Sequence, residues 1–410
     1  MPNKQHTPGN PASHLPSRYA HPYYARPVPA RAPAPLTAAA PTTTATAAAP
    51  SGLTDWSKLQ LGPIPPVRNN GLFSLADVIG ADGAKEIEQL GEIRFHALGD
   101  SGVGDAKDAE LVAEEMATDF RPSAGGLNPA FLFHLGDVVY GPGKQDHYGD
   151  RFYQPYRHYP GKIIAIPGNH DGEVKSQADA PSLSAFRANF CAPEAAVPPQ
   201  AAGSGIFRET MTQPGVYWLL DAPFVRVIGL YSNMLENPGF LQGKTASGDG
   251  DSSQLAWLKA TLLEIANNKQ KKALVIATHH PPYSQSGHSG STEMMQSIDD
   301  ICATAGIYPD AFFSGHAHNY QRYVRRIGGK QIPYYVVGTG GISTQKTPPA
   351  TGQPADDSHT ATYDAALQSM GYLFVTVSAS QLKTEFWPLG SEHTTPFDPV
   401  AIDLATHLVK

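Results

Sequence analysis

The 410-residue chain carries a formal net charge of −7 and no stripe of lysine or arginine, a balance that disfavours binding nucleic acid through its backbone. No apolar run reaches the ~20 residues needed to cross a bilayer, and the N-terminus lacks the compact apolar core of a secretory signal. The chain is therefore expected to be cytoplasmic or, with a signal removed, periplasmic or secreted. Its 2 cysteines, Cys191 and Cys302, cannot build a disulfide framework or a thiolate cluster. Both are expected as unpaired thiols, Cys302 buried on a helix, with a single disulfide as the alternative.

Met1 to Ser51 is dominated by Ala, Pro and Thr and holds too little apolar bulk to offset its ordering entropy. A disordered leader over 1–68 is expected, followed by one folded domain over 69–410. Ser74–Gly80 carries a helical signal, and Ile93–Leu98 reads as a first strand ending in the turn-rich Gly99–Gly104. Ala106–Phe120 has helical spacing, with Asp105 placed to cap it. Phe131–Leu135 is a short aromatic strand between Pro129 and Gly136. An aromatic loop through Tyr148, Phe152 and Tyr156 leads to the strand Lys162–Ile166.

Glu173–Pro214 is Ala- and Pro-rich and is expected as an irregular excursion over the surface. Val216–Leu220 and Phe224–Leu230 predict a hairpin, and Ser252–Asn267 an amphipathic helix after the loop Gly239–Asp251. The strand Ala273–Ala277, a helix over Thr292–Ala305 and the strand Ala311–Phe313 follow. Gln321–Ile327, Gln331–Val337, Tyr372–Val377 and Lys383–Trp387 read as β, with a polar loop over Ser343–Ala361. Met294 and Met295 are read as core of their helix, and Tyr320 and Arg322 as structural.

One event recurs five times along this path. An apolar strand ends, a glycine or proline opens a turn, and an Asp, Asn or His appears: Asp100; Asp137 with Tyr140; Asn169-His170-Asp171; His279-His280; and His316-x-His318. Open α/β sheets place their ligand sites at the carboxyl edge of strands. If the strands share one sheet, these loops converge there. Carboxylate and phenol oxygens with imidazoles suit iron, manganese or zinc rather than a thiolate-seeking ion.

Gly99-Asp-Ser-Gly102, Gly136-Asp-Val-Val-Tyr140, Gly168-Asn-His-Asp171, Ile276-Ala-Thr-His279 and Gly315-His-Ala-His318 together resemble the calcineurin-like metallophosphoesterases, and within them the purple acid phosphatases. The wider superfamily carries Asp-x-His in the first motif, with the His as a ligand. Here Gly102 stands in that place, and Tyr140 supplies an alternative ligand one motif later. The resemblance implies an α/β fold, a four-layer αββα sandwich of two mixed β-sheets flanked by helices, with 69–410 as the catalytic domain. It implies Fe(III) on Asp100, Tyr140 and His318, and a divalent Fe, Zn or Mn on Asn169, His279 and His316, with Asp137 bridging both. It further implies a dinuclear-metal acid phosphatase that hydrolyses small phosphate monoesters by attack of a metal-bound hydroxide.

His170, adjacent to Asn169, is assigned to phosphate binding and leaving-group protonation, and Asp171 to orienting His170 or a ligand. His288, nine residues beyond His279, resembles a second phosphate-binding His or is a surface-loop residue. His280 either lines the substrate mouth or packs beneath Pro281. The rival functions are a phosphodiesterase of the same fold, acting on cyclic nucleotides or phospholipid head groups, and a non-catalytic metal-binding module.

Overall fold

The apolar runs that end in glycine or proline become the central strands. The computed structural model describes residues 58–104, 106–120, 128–245, 247–268, 270–358, 360–391 and 394–410. The expected cap at Asp105 and the leader's residues 1–57 lie outside these. In chain order the strands are β1 (Leu72–Ser74), β2 (Glu92–Leu98), β3 (Phe131–His134), β4 (Lys162–Ala165), β5 (Trp218–Asp221), β6 (Val225–Gly229), β7 (Gly243–Lys244) and β8 (Gly250–Asp251). After these come β9 (Ala273–Ala277), β10 (Ala311–Ser314), β11 (Tyr320–Ile327), β12 (Lys330–Val337), β13 (Ala361–Leu367), β14 (Gly371–Ser378), β15 (Gln381–Pro388), β16 (Phe397–Asp403) and β17 (Leu408–Val409).

Two large mixed sheets result. One runs β17-β16-β15-β14-β2-β3-β4 and the other β1-β5-β6-β9-β10-β12-β11-β13, while β7 and β8 form a separate ribbon. The strands expected to share a sheet are thus divided. β2, β3 and β4 are parallel in the first sheet, and β6, β9 and β10 are parallel in the second.

The sheets pack face to face because each buries a large aromatic set. Trp218 of β5 is fully buried, lies 5.2 Å from Phe133 of β3, and donates its indole N–H to the Ala165 carbonyl at 3.0 Å. Further along, Tyr320 of β11 stacks on Phe386 of β15 with centroids 4.2 Å apart. Aromatic pairs of this kind add ~0.5–1.5 kcal/mol each beyond the area they bury. In chain order the helices are α1 (Leu75–Ile79), α2 (Ala81–Leu90), α3 (Lys107–Ala117), α4 (Asn169–Gly172), α5 (Ser184–Phe190), α6 (Pro199–Ala202), α7 (Ser253–Asn267) and α8 (Thr292–Ala305). Helices close the outer faces: α2 and α3 touch the first sheet, and α7 and α8 pack together over the second. The layers are αββα, as expected.

Several local expectations need correction. Residues 58–68, assigned to the leader, rest on the body, with Leu61 and Ile64 buried and the Arg68 guanidinium donating to the Ala192 and Gln213 carbonyls. Within Glu173–Pro214 a turn of 3-10 helix (Gln177–Asp179) and two short α-helices form, α5 (Ser184–Phe190) and α6 (Pro199–Ala202). Phe186 and Phe190 are buried, and the Arg208 guanidinium is bound by the Tyr156, Tyr159 and Gly161 carbonyls, so this stretch is packed rather than laid over the surface. The aromatic loop winds into a turn of π-helix at Gly149–Tyr153. Cys191 and Cys302 are both free, with Cys302 buried on α8.

Candidate metal centre

The loops after β2, β3, β4, β9 and β10 meet where the two sheets approach each other. Backbone stitches hold them: Asp100 N–H to the Gly136 carbonyl at 3.0 Å, Tyr140 N–H to Gly102 at 2.7 Å, and Gly315 N–H to His279 at 3.0 Å. The turns are sharp. Asp100, Asp137 and His316 all take left-handed conformations, with φ of 64°, 52° and 68°. For residues with a Cβ this costs about 1–3 kcal/mol each, and such strain gathers at functional sites. Gly136 precedes Asp137 with φ +100°, and a Cβ there would fall 2.7 Å from both the Gly168 nitrogen and His279 Nδ1. Only glycine lets these loops close together.

The side chains form two neighbouring groups. In one, the Tyr140 hydroxyl lies 2.9 Å from Asp100 Oδ1 and 3.2 Å from His318 Nε2, and His318 Nε2 is 3.7 Å from the same Asp100 oxygen. In the other, His279 Nε2 lies 3.0 Å from Asn169 Oδ1, 3.2 Å from His316 Nδ1 and 3.4 Å from Asp137 Oδ2. Burial and, with it, the Asp100 and Asp137 carboxylates raise the Tyr140 phenol well above its ordinary range, so the Asp137 charge is felt in both groups. The structure brings together all seven residues expected as metal ligands; Asp100, Asp137, Asn169, His279 and His316 are buried.

This donor set fits cations. His279 donates its Nδ1 proton to the Leu135 carbonyl at 2.9 Å, which turns Nε2 toward Asp137 and Asn169 as a ligand atom. Ligand atoms of Asp137, His279 and His316 lie within 4.8 Å of one another. Burial, reinforced by the charge of Asp137, pushes the Asp100 carboxyl up to about 7, because two carboxylates in one dry site resist ionising together. Burial acts on His279 in the opposite sense, yet the Asp137 and Asp100 carboxylates hold it up at about 9. A proton on His279 thus balances the Asp137 charge, and a metal ion would replace it. Burial and neighbouring imidazoles hold His318 down to about 3 and His316 well below its usual range, both neutral as ligands must be.

The remaining residues divide. The His170 ring lies 4.7 Å from Tyr140, with Nδ1 3.4 Å from Glu173 and its backbone N–H donating to Asp137 Oδ1 at 3.0 Å. His288 is at the site rather than on a distant loop, its ring centroid 4.3 Å from His316 and 5.2 Å from His318. His280 does not reach the mouth. It is fully buried, with Nδ1 2.8 Å from Ser232 Oγ and Nε2 2.7 Å from the Leu235 carbonyl, so both nitrogens are committed, and its ring lies 4.4 Å from His316. Nor does Asp171 orient the His170 ring. Its carboxylate accepts the backbone N–H groups of Val138, Val139 and Gly168 and so ties the Asp137 loop to the Asn169 loop. Tyr320 and Arg322 both bind Asp398, as structural residues.

Sequence reasoning missed the segment after β6. Glu236 accepts the Asn169 side-chain amide at 3.2 Å, and Asn237 lies 3.3 Å from His288 and 3.4 Å from His316. The turn formers Asn237-Pro238-Gly239 mark a loop there, and no strand end flags it as part of a site.

Two mixed sheets flanked by helices, with Asp, Asn, His and Tyr loops converging between them, define the metallophosphoesterase architecture. The chain belongs to the calcineurin-like phosphoesterase family, whose model matches residues 93–320. It is 25% identical over 184 residues to purple acid phosphatase 22 of Arabidopsis thaliana, covering 43% of this chain and 36% of that protein. It is 30% identical over 142 residues to purple acid phosphatase 18 of the same plant, covering 33% and 29%. The matched stretch thus spans about a third of those relatives. Among solved structures it is similar to purple acid phosphatase PPD1 from yellow lupin (Lupinus luteus) seeds, with TM-score 0.53 and 15% identity over 76% of this chain and 54% of that one. It is also similar to GAP50, the anchor in the inner membrane complex of Plasmodium, with TM-score 0.54 and 12% identity over 77% and 91%. These structural likenesses speak to the fold.

Proposed function

We propose that this chain is a phosphomonoesterase of the purple acid phosphatase type that works with two metal ions. Asp100, Tyr140 and His318 would hold Fe(III), and Asn169, His279 and His316 a divalent Fe, Zn or Mn, with Asp137 available to both. The observation that carries this reading is the Tyr140 hydroxyl, 2.9 Å from Asp100 and 3.2 Å from His318, with Gly102 packed so closely on the Val138 backbone that no side chain fits there. A phenolate beside a carboxylate compensates a trivalent charge, and the amide–imidazole set suits a divalent ion. When bound, the two ions supply Lewis acidity toward the phosphoryl oxygens and a nucleophile drawn from water at mild pH.

The chain's own residues then do the rest. His170 faces Glu173 through Nδ1, which leaves Nε2 to hold the proton delivered to the leaving oxygen. His288, steadied through Nδ1 by Asn237, directs its other nitrogen at a phosphoryl oxygen. Asp171 keeps the ligand loops in register, and His280 braces His316 from below.

The test is a visible absorption spectrum of aerobically purified protein and of Tyr140→Phe, run beside p-nitrophenyl phosphate and bis(p-nitrophenyl) phosphate hydrolysis. The expected result is a broad charge-transfer band that the substitution abolishes, with the monoester strongly preferred. A colourless, metal-loaded protein, or one that prefers the diester, would refute the reading.

A further inference from the structure

Two carboxylates, those of Glu236 and Glu173, edge the mouth of the ligand cluster. Glu236 has a side chain 62% exposed, with Oε1 3.6 Å from His288 Nδ1 and Oε2 3.2 Å from the Asn169 amide. Among the described residues no Lys or Arg forms an ion pair with it. Glu173 places Oε2 3.4 Å from His170 Nδ1, and its Oε1 is paired with Lys175, itself 58% exposed. Glu236 holds Asn169 and Glu173 faces His170, the next residue in the chain, so the two carboxylates border one opening.

This is an unusual edge for a site that takes an anion. Every phosphate ester carries negative charge, and a carboxylate without a cationic partner at the entrance repels it. Such a repulsive element discriminates among esters by what else they carry. A leaving group with a second negative charge meets Glu236 unfavourably, and a cationic one is drawn to it, with Glu173 adding what Lys175 leaves uncompensated. Resting on the phosphomonoesterase reading of this site, we propose that Glu236, supported by Glu173, selects phosphate monoesters of amino alcohols. Their ammonium group lies against the two carboxylates while the phosphate faces the ligand cluster. Esters with anionic leaving groups, such as phosphorylated hydroxy acids, are rejected.

The test uses the full chain loaded with iron and zinc and three phosphonates of nearly equal shape that cannot be hydrolysed: 2-aminoethylphosphonate, n-propylphosphonate and 2-carboxyethylphosphonate. Calorimetric affinities are expected in that order, about fivefold per step, the upper end for an exposed ion pair. In Glu236→Gln the order flattens, and in Glu236→Lys it reverses. Glu173→Gln, which leaves the Asn169 contact untouched, narrows it. Equal affinities in the wild type, absence of binding by all three, or an order unchanged in Glu236→Gln would overturn the proposal. Turnover of phosphoethanolamine, glycerol 2-phosphate and p-nitrophenyl phosphate is measured beside it. Ordered binding with no turnover of any monoester refutes the phosphomonoesterase reading and leaves the selection intact. Turnover without ordered binding refutes the selection alone.

Discussion

Gly102→Ala tests whether Gly102 leaves any room for a side chain, and with it why a ligand cannot stand there. A Cβ at this position would lie 1.8 Å from the Val138 carbonyl oxygen and 2.5 Å from Val139 Cα. These are backbone atoms, so no side chain can swing aside, and the loop bearing Asp137 and Tyr140 must move. Overpacking a rigid site costs typically 1–3 kcal/mol, and backbone obstruction puts this case at the upper end, about 3 kcal/mol. At roughly 2–4 °C per kcal/mol for a chain of this size class, the melting temperature falls by about 6–12 °C. Because Tyr140 N–H is bonded to the Gly102 carbonyl at 2.7 Å, the shift also carries the phenol out of place, and the charge-transfer band proposed for Tyr140 should weaken with it. Gly104→Ala is the matched control, since the nearest atom to its Cβ would be Arg151 Nη2 at 3.7 Å, ordinary contact. Differential scanning calorimetry of both variants decides the matter. A Gly102→Ala protein that melts with the wild type and keeps its spectrum would refute the packing explanation.

Three further outcomes are expected. Chelation should lower the melting temperature and reloading restore it, the bound metal stabilising the fold by about 2.7 kcal/mol when in hundredfold excess over its dissociation constant; calorimetry that sees no change would count against a metal in this site. Asp310 is buried, pairs with Lys330 at 2.7 Å and His407 at 2.8 Å, and despite its burial these partners hold its carboxyl below the usual range. A depressed folded-state value means stability that is present above the unfolded value and lost as pH falls through the folded one. Asp310→Asn should therefore cost about 3 kcal/mol at neutral pH, with the gap closing below about pH 4 in denaturant titrations; a gap that ignores pH would refute this. Ser232→Ala leaves His280 Nδ1 and the His280 backbone N–H without their partner, a loss of about 1–3 kcal/mol. Metal titration should show the divalent ion bound more weakly, and unchanged binding would remove His280 from any supporting role.

The five strand-end motifs were legible because each couples a local signal, an apolar run closed by glycine or proline, to a residue able to bind a cation. That signal is a property of single loops, and it says nothing of which sheet a strand joins. The second sheet's share of the site, His279, His316 and His318, could therefore be read as ligands before the seam between the sheets could be seen. Strands near the margins of the sheets were harder. In β16, Pro399 interrupts the β pattern, and it fits because the register with β15 breaks between Thr384 and Phe386. In β13 the buried positions are Ala361, Tyr363 and Ala365, whose alternation is muted by small side chains. Glu236 and Ser232 escaped notice for a different reason: their importance lies wholly in contacts with Asn169, His288 and His280, far away in sequence.

The division of the ligand set between two sheets has a consequence for how the molecule comes to exist. Asp100, Asp137, Tyr140 and Asn169 belong to loops of the first sheet, and His279, His316 and His318 to loops of the second. Neither half owns a finished pocket. An ion held there would fasten the halves like a clasp, and the nascent chain could not grip it firmly until residue 318 had been made and both halves had met. Loading would then report that assembly is complete.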